Sequence, residues 1–232
     1  MDSFFSVERM LESFPLILSR LPVTLSIVVI ATGLGLILGT VAAVIRINKI
    51  PVLNRIVLAG ISFLRGTPII VQLFVVYFGL PVLLKLAGIN AARWSKLIFV
   101  NITYSLNISA FLSEIIRGAL NGVDPGQREA ALSVGLTGWQ TFRRIIAPQS
   151  LLIALPSFSV SILNLLQNTS LGFTIGIVDM VGQVRAIGTR TYHVIEAYVD
   201  AAIIFVVLSF ILNYLFSLVE KRLRAKIMKT GD

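Results

Sequence analysis

The chain contains no cysteine and one histidine, His193, among its 232 residues. Disulfides, thiolate nucleophiles and cysteine-held metals are therefore excluded, and no histidine cluster can form a metal site. The lone His193 reads as a polar loop side chain rather than a ligand. The sequence also lacks the G-x-x-x-x-G-K-[ST] pattern whose backbone amides cradle a nucleotide's phosphates, so the usual P-loop route to ATP is closed to it. No nucleophile–base–acid set stands out, and neither catalytic nor metal-binding residues are expected. Charge is scarce too. Only 13% of residues are Asp, Glu, Lys or Arg, against roughly a quarter in soluble domains.

What is present is apolar. Hydrophobic residues make up 56% of the chain, and its mean hydropathy is +0.90. Such a composition implies a multi-span membrane protein, and nothing in the length calls for a second domain, so residues 1–232 are expected to form one all-α transmembrane domain. The net charge of +9 does not imply nucleic acid as a partner. The positive residues gather at the ends of apolar runs and in the tail, which is the pattern of a protein facing lipid. Residues 1–13 carry Asp2, Glu8 and Glu12 rather than a basic start, and the first apolar run is longer than a signal-peptide core. The segment is expected to be retained.

Five spans are expected, over about residues 22–45, 67–85, 97–118, 149–167 and 197–218. Residues 4–20 and 52–64 read as helices lying at the membrane surface. In the first span Ala31, Gly35, Gly39 and Ala43 recur every four residues, a small-residue ridge that admits a second helix at close range. Gly33-Leu34-Gly35 has the look of a dinucleotide fingerprint but lies inside an apolar helix, where packing explains it better. The third span carries a polar ridge of Asn101, Ser105, Ser109 and Ser113, then Glu114 and Arg117 three residues apart, spaced to pair on one face. Without a partner, a carboxylate at the centre of a span costs about 2.5–3.5 kcal/mol on insertion scales. The fourth span places Ser157, Ser161, Asn164 and Asn168 on one face. Asn164, Gln167 and Asn168, beside Thr169 and Ser170, form an amide cluster able to hold both ends of a zwitterion. Gln72 of the second span is a further candidate for the same site. Asp200 falls about one turn inside the fifth span, and the chain ends in Lys221, Arg222, Arg224, Lys226 and Lys229.

Residues 121–156 are the stretch around which the rest is organised. Asp124 is suited to cap a helix, Pro125 fits its first position and Gln127 is placed to close a capping box. Gly135 is placed to end that helix in a left-handed conformation. Thr137 and Gln140 repeat the capping spacing, so a second short helix is expected through Phe142 and Ile145 towards Pro148.

These residues also carry a resemblance. Glu129-Ala130-Ala131, Gly135, Phe142, Ile145 and Pro148 resemble the E-A-A-x-x-x-G loop of ABC importer permeases. The segments Arg65-Gly66-Thr67-Pro68 with Val71-Gln72, and Ser113-Glu114-Ile115-Ile116-Arg117-Gly118, are similar to those of permeases for polar amino acids. The resemblance implies that residues 121–147 form a cytoplasmic coupling-helix loop, with Glu129, Ala130, Ala131, Gly135, Phe142 and Pro148 facing an ATPase. It further implies ABC ATPase subunits that bind ATP and Mg, a second permease subunit, an extracytoplasmic solute-binding protein and a place in the bacterial inner membrane. The chain itself would hold no cofactor. Where many relatives read K-D-T-S or K-x-T-S, this chain has Gln167-Asn168-Thr169-Ser170. A zwitterionic amino acid such as cystine is expected in place of a charged one. A channel or ion-coupled transporter, with Glu114 and Asp200 as gating or proton-carrying groups, is the alternative; an intramembrane enzyme would need a reactive cluster that is missing.

The loops at 46–65 and 117–147 and the tail hold 13 of the 20 Lys and Arg residues, which puts them on the cytoplasmic side. The N-terminus is then outside and the C-terminus inside. Reporter fusions after residues 90, 128, 185 and 230 are expected to read outside, inside, outside and inside. A reversal at 128 would remove both the orientation and the loop's assignment to the cytoplasm.

Overall fold

Proline, serine and glycine positions decide where the helices start and stop. The computed structural model describes residues 5–91 and 93–228. Lys229 and the first residue of the 4–20 segment lie outside them. Helix α1 (Val7–Leu18) begins at Ser6, whose hydroxyl accepts from the Arg9 N–H. Helix α2 (Leu21–Ile47) carries Pro22 in its first turn, where a missing N–H is no loss. Helix α3 (Leu53–Gly66) follows a tight turn, and Pro68 then separates it from α4 (Ile69–Phe74) and α5 (Leu80–Leu86). Ser95 caps α6 (Lys96–Asn121). After it come α7 (Pro125–Ser133), α8 (Gly138–Thr141) and α9 (Ala147–Asn168), a 3-10 turn over Thr169–Ile175, α10 (Met180–Thr191) and α11 (Ile195–Met228). No strand occurs among the described residues.

Five helical stretches are long and apolar enough to cross a membrane: Val7–Ile47, Ile69–Leu86, Lys96–Asn121, Gly138–Ile175 and Ile195–Ala225. The fold class is therefore the expected one, but two of these stretches are built differently from expectation. The helix beginning at Gly138 does not stop before Pro148. It widens into a π turn over Phe142–Ile146 and runs on as α9. The same device joins α4 to α5 over Val75–Gly79, just before Pro81. A proline has no N–H and crowds the carbonyl four residues back. That carbonyl belongs to Arg144 and to Tyr77, each inside its π turn. Widening the turn relieves the crowding without ending the helix.

The bundle is organised on α2 against α6. A Cβ at Gly35 would lie 2.3 Å from Ile108 Cγ2, and one at Gly39 would lie 2.9 Å from the Ser109 carbonyl oxygen and 3.0 Å from Leu112 Cβ. The predicted small-residue ridge is thus the face on which α6 lies. The serine ridge of α6 is the other side of the same contact: Ser105, Ser109 and Ser113 are buried there. Around this seam Ile27, Ala31, Leu73, Tyr104, Leu112 and Leu166 form the larger core. A smaller core of Ile17, Met180, Val184, Ala197 and Ile204 joins α1, α10 and α11. Polar bonds fasten α1 in place. Glu196 accepts from the Ser6 N–H at 3.0 Å and pairs with Arg9 at 3.0 Å, and Asp200 accepts from the Ser13 hydroxyl.

Glycine is required at 39 and not at 33, where nothing lies within 4 Å of an added Cβ. Gly39→Val is expected to destabilise the purified protein by about 1–3 kcal/mol through overpacking against backbone. Gly33→Ala is expected to be neutral or to stabilise by up to about 1 kcal/mol through helix propensity. Thermal unfolding in detergent checks both, and equal effects would contradict the seam.

Candidate functional site

The Arg65-Gly66-Thr67-Pro68 corner sets one wall of a cavity. The residue before a proline is driven to extended backbone, and Thr67 adopts φ −117° and ψ 145°, which ends α3. Gln72, buried on α4, reaches back across the corner. Its Nε2 shares its two protons among three acceptors, the carbonyls of Leu64 at 2.8 Å and Thr67 at 3.0 Å and the Thr67 hydroxyl at 2.9 Å. Its Oε1 accepts from Asn107 Nδ2 at 3.0 Å, which also donates to the Leu64 carbonyl at 3.3 Å. An amide nitrogen carries two protons. Both protons of Asn107 are committed, so its Oδ1 is the end left to accept a bond.

Between this corner, α6 and α9 lies a cavity of about 240 Å³. Arg65, Thr67, Asn107, Ser161, Asn164 and Asn168 supply its polar lining, with Leu64, Ile69, Ile108, Phe111 and Leu165 between them. The six residues expected at one substrate site, the three amides of α9 with Thr169, Ser170 and Gln72, do not share this space. Asn164 and Asn168 line it. Gln72 stands behind the wall and fixes Asn107. Gln167 turns to a separate cavity of about 330 Å³ beside Ser209 and Asn213 of α11. Thr169 is buried, with its hydroxyl donating to the Leu166 carbonyl at 2.7 Å, and Ser170 donates to the Gln167 carbonyl at 2.7 Å. Both hydroxyls bond their own helix, and the backbone there tightens into the 3-10 turn. The Asn168 carbonyl is held by the Tyr104 hydroxyl at 2.8 Å. Arg65, Thr67 and Asn107 join the lining without having been part of the expected substrate set. Asn107 had a legible signal: it lies midway between Ser105 and Ser109, and so on the opposite face of α6.

Below the cavity, Glu114 gathers three guanidinium groups from three helices. Arg46 of α2 donates to Oε1 at 2.6 Å, Arg117 of α6 donates to Oε2 at 2.9 Å, and Arg65 of α3 stands 3.5 Å from Oε1. The expected pairing with Arg117 is present, and the other two partners come from elsewhere in the chain.

The loop after α6 presents a different kind of surface. Asp124 caps α7 by accepting from the Gly126 N–H at 2.7 Å. Gln127 does not close the expected capping box, because its Oε1 accepts from Gln149 Nε2 at 3.1 Å. The box at Thr137 and Gln140 does form. Gly135 turns the corner at φ +86°, a backbone state that favours glycine. Glu129 and Ala130 are exposed, Ala131 packs inward and Pro148 is half-buried behind the π turn. Leu132, Val134, Trp139 and Phe142 are exposed, and the rings of Trp139 and Phe142 stack at 5.8 Å.

Asp179, in the connector after the 3-10 turn, is fully buried at the start of α10, where it accepts from the Gly182 N–H at 2.8 Å. Burial pushes its carboxyl up to about 6, against the lowering effect of backbone N–H groups.

Residues 35–225 match the family described as the binding-protein-dependent transport system inner membrane component. The chain is 38% identical over 224 residues to the L-cystine transport system permease protein TcyL of Bacillus subtilis, covering 97% of this chain and 94% of that protein. It is 40% identical over 214 residues to the probable amino-acid permease protein YxeN of the same organism, covering 92% and 94%. Among solved structures, an amino acid ABC transporter crystallised with histidines superposes with a TM-score of 0.82 at 31% identity, covering 94% of this chain and 99% of that one. A chain of the MetNI methionine ABC transporter superposes at 0.66 with 18% identity over the same shares, a likeness of fold alone.

The Asp179 carboxyl titrates higher in the folded than in the unfolded chain. Its stabilising contribution is therefore full below the ordinary carboxylate value and is lost as pH rises through about 6. Asp179→Asn keeps an oxygen for the Gly182 N–H and removes the titration. Relative to that variant, the wild type is expected to lose up to about 3 kcal/mol between about pH 4 and pH 8. A pH-independent difference in thermal unfolding would contradict this assignment.

Proposed function

The chain belongs to the family of binding-protein-dependent transport system inner membrane components, and from that premise we propose that it is the permease subunit of an ATP-driven importer of a polar, zwitterionic amino acid. The observation that carries the ATP-driven reading is the surface of the 121–147 loop. Leu132, Val134, Trp139 and Phe142 are apolar and exposed on this hairpin, with aromatic rings of the kind that anchor protein interfaces. The chain has no P-loop of its own, so the energy source must dock from outside, and this loop is where an ABC ATPase holding ATP and Mg fits. Glu129 and the Gly135 corner belong to that contact. A second permease subunit, identical or paralogous, and an extracytoplasmic solute-binding protein complete the assembly. The loop and the C-terminus lie in the cytoplasm, and the N-terminus lies outside the bacterial inner membrane.

The substrate site in this reading is the cavity lined by Asn107, Asn164, Asn168, Thr67 and Ser161. Neutral amides offer both donors and acceptors, which suits a molecule that is cationic at one end and anionic at the other. Sites of this kind sit where a helix is interrupted inside the membrane domain, as the α3–α4 corner is here. Cystine is the favoured substrate, because TcyL is named for cystine transport. The ion-coupled alternative is weaker on one specific ground. Glu114 is bound by three arginines, and Asp200 is bonded to Ser13.

Uptake of labelled cystine by the reconstituted complex tests both parts. Asn164→Ala is expected to raise the concentration for half-maximal uptake about tenfold, as the loss of one or two hydrogen bonds would. Gly135→Val and Glu129→Lys are expected to leave insertion at the wild-type level while uptake falls and less ATPase co-purifies. Wild-type uptake from both loop variants would sink the coupling assignment, and wild-type kinetics from Asn164→Ala would move the site elsewhere.

A further inference from the structure

The Glu114 cluster holds more positive charge than its carboxylate can use. Oε1 is already bonded to Arg46 at 2.6 Å and Oε2 to Arg117 at 2.9 Å. Arg65 only approaches Oε1, at 3.5 Å, and its side chain is the most exposed of the three, at 45%. Its guanidinium lies 5.6 Å from the centre of the Phe111 ring. Arg65 and Phe111 are also wall residues of the amide-lined cavity. Arg65 therefore stands on the boundary between two places: an ion cluster that remains neutralised without it, and a cavity whose other polar groups carry no charge.

We propose that Arg65 is an exchangeable latch, tied to Glu114 when the cavity is empty and turned to the carboxylate of the amino acid when it is filled. The proposal rests on the reading of this cavity as the amino-acid site. Leaving Glu114 exposes no uncompensated anion, because the two shorter bonds remain. The planar fork of arginine matches a carboxylate with two parallel hydrogen bonds, a geometry that lysine does not offer. At the other end of the ligand the Asn107 oxygen, left free by the Gln72 network, is an acceptor for an ammonium group. The exchange would also be felt beyond the cavity. Arg65 is the penultimate residue of α3, and Glu114 lies on α6 two turns before that helix leads into α7. Breaking their contact frees the end of α3 from the helix that carries the loop.

The test is direct binding to the purified permease–ATPase complex in nanodiscs, without the solute-binding protein. L-cystine, L-glutamine and L-arginine are each compared with the decarboxylated counterpart: cystamine, 4-aminobutanamide and agmatine. The wild type is expected to prefer the amino acid it binds over the matching amine by about tenfold or more. Arg65→Gln is expected to lose that preference by weakening the amino acid alone, with the amine unchanged. Glu114→Gln, which removes the competing anion, is expected to tighten the amino acid several-fold and leave the amine unchanged. Should Arg65→Gln fail to assemble, Arg65→Lys carries the same comparison, and its preference should fall below that of the wild type. Undiminished preference in the Arg65 variant, with binding weakened by Asn164→Ala, overturns the latch and keeps the cavity. If neither Arg65→Gln nor Asn164→Ala changes amino-acid binding, or if the wild type binds no amino acid, the cavity assignment and the latch fall together.

Discussion

Close approach of the α2 and α6 backbones is the constraint on which the remaining geometry depends. Between helices in lipid there is no hydrophobic driving force, so contact rests on van der Waals packing and small residues. Gly35 and Gly39 leave room for the Ser105–Ser113 backbone that any side chain would occupy. Three consequences follow from that one contact. It fixes which face of α6 is used up in packing, and so turns Asn107 and Phe111 towards the cavity. It brings the C-terminal end of α2 beside Glu114, where Arg46 can reach it at 2.6 Å. It also sets the point from which α6 delivers the chain to the 121–147 loop.

Polar groups within the helical bundle divide into those that hold the structure and those that remain available. Glu114 and Glu196 are paired with arginines from other helices, Asp200 is met by Ser13, and Gln72 has all its stronger valences filled by backbone, Thr67 and Asn107. Replacing Glu114 with an apolar group would leave the Arg46 guanidinium, 11% exposed, without its carboxylate, the expensive case for a hydrogen bond. Asn164 is different. It is exposed to the cavity and its side chain has no role in fastening helices together. Availability of this kind is what separates a group that can meet a ligand from one that only positions its neighbours.

Much of this was legible in the sequence because it follows from local rules. The glycine ridge, the Asp124 and Thr137 caps, the left-handed Gly135 and the five apolar stretches all rest on residues within a turn or two of one another. What was illegible depends on distant partners. Gln127 satisfies the spacing of a capping box, yet Gln149, brought alongside by α9, takes its oxygen. Pro148 reads as a stop, yet a π turn absorbs it, because the widened ring of hydrogen bonds relieves the clash locally. Gln72 and Asn107 exchange functional standing for the same reason. Either amide would serve a ligand, and only the fold of the α3–α4 corner decides which one is consumed in holding it.

The departure at Gln167-Asn168 from the K-D-T-S pattern of similar permeases can now be divided by position. Residue 167 faces α11, beside Ser209 and Asn213, so the loss of a lysine there bears on the packing of α9 against α11. Residue 168 lines the cavity proposed as the substrate site, so the loss of an acid there changes the charge of that proposed site. An aspartate at 168 would place an anion in the same small cavity as Arg65, where it could occupy the guanidinium itself. With an amide instead, Arg65 is the charged member of the lining, and the balancing anion has to come either from Glu114 or from whatever enters. Neutrality at 168 and a surplus arginine at 65 are therefore one electrostatic feature of the lining, and in the proposed substrate site they would favour a ligand that brings its own carboxylate.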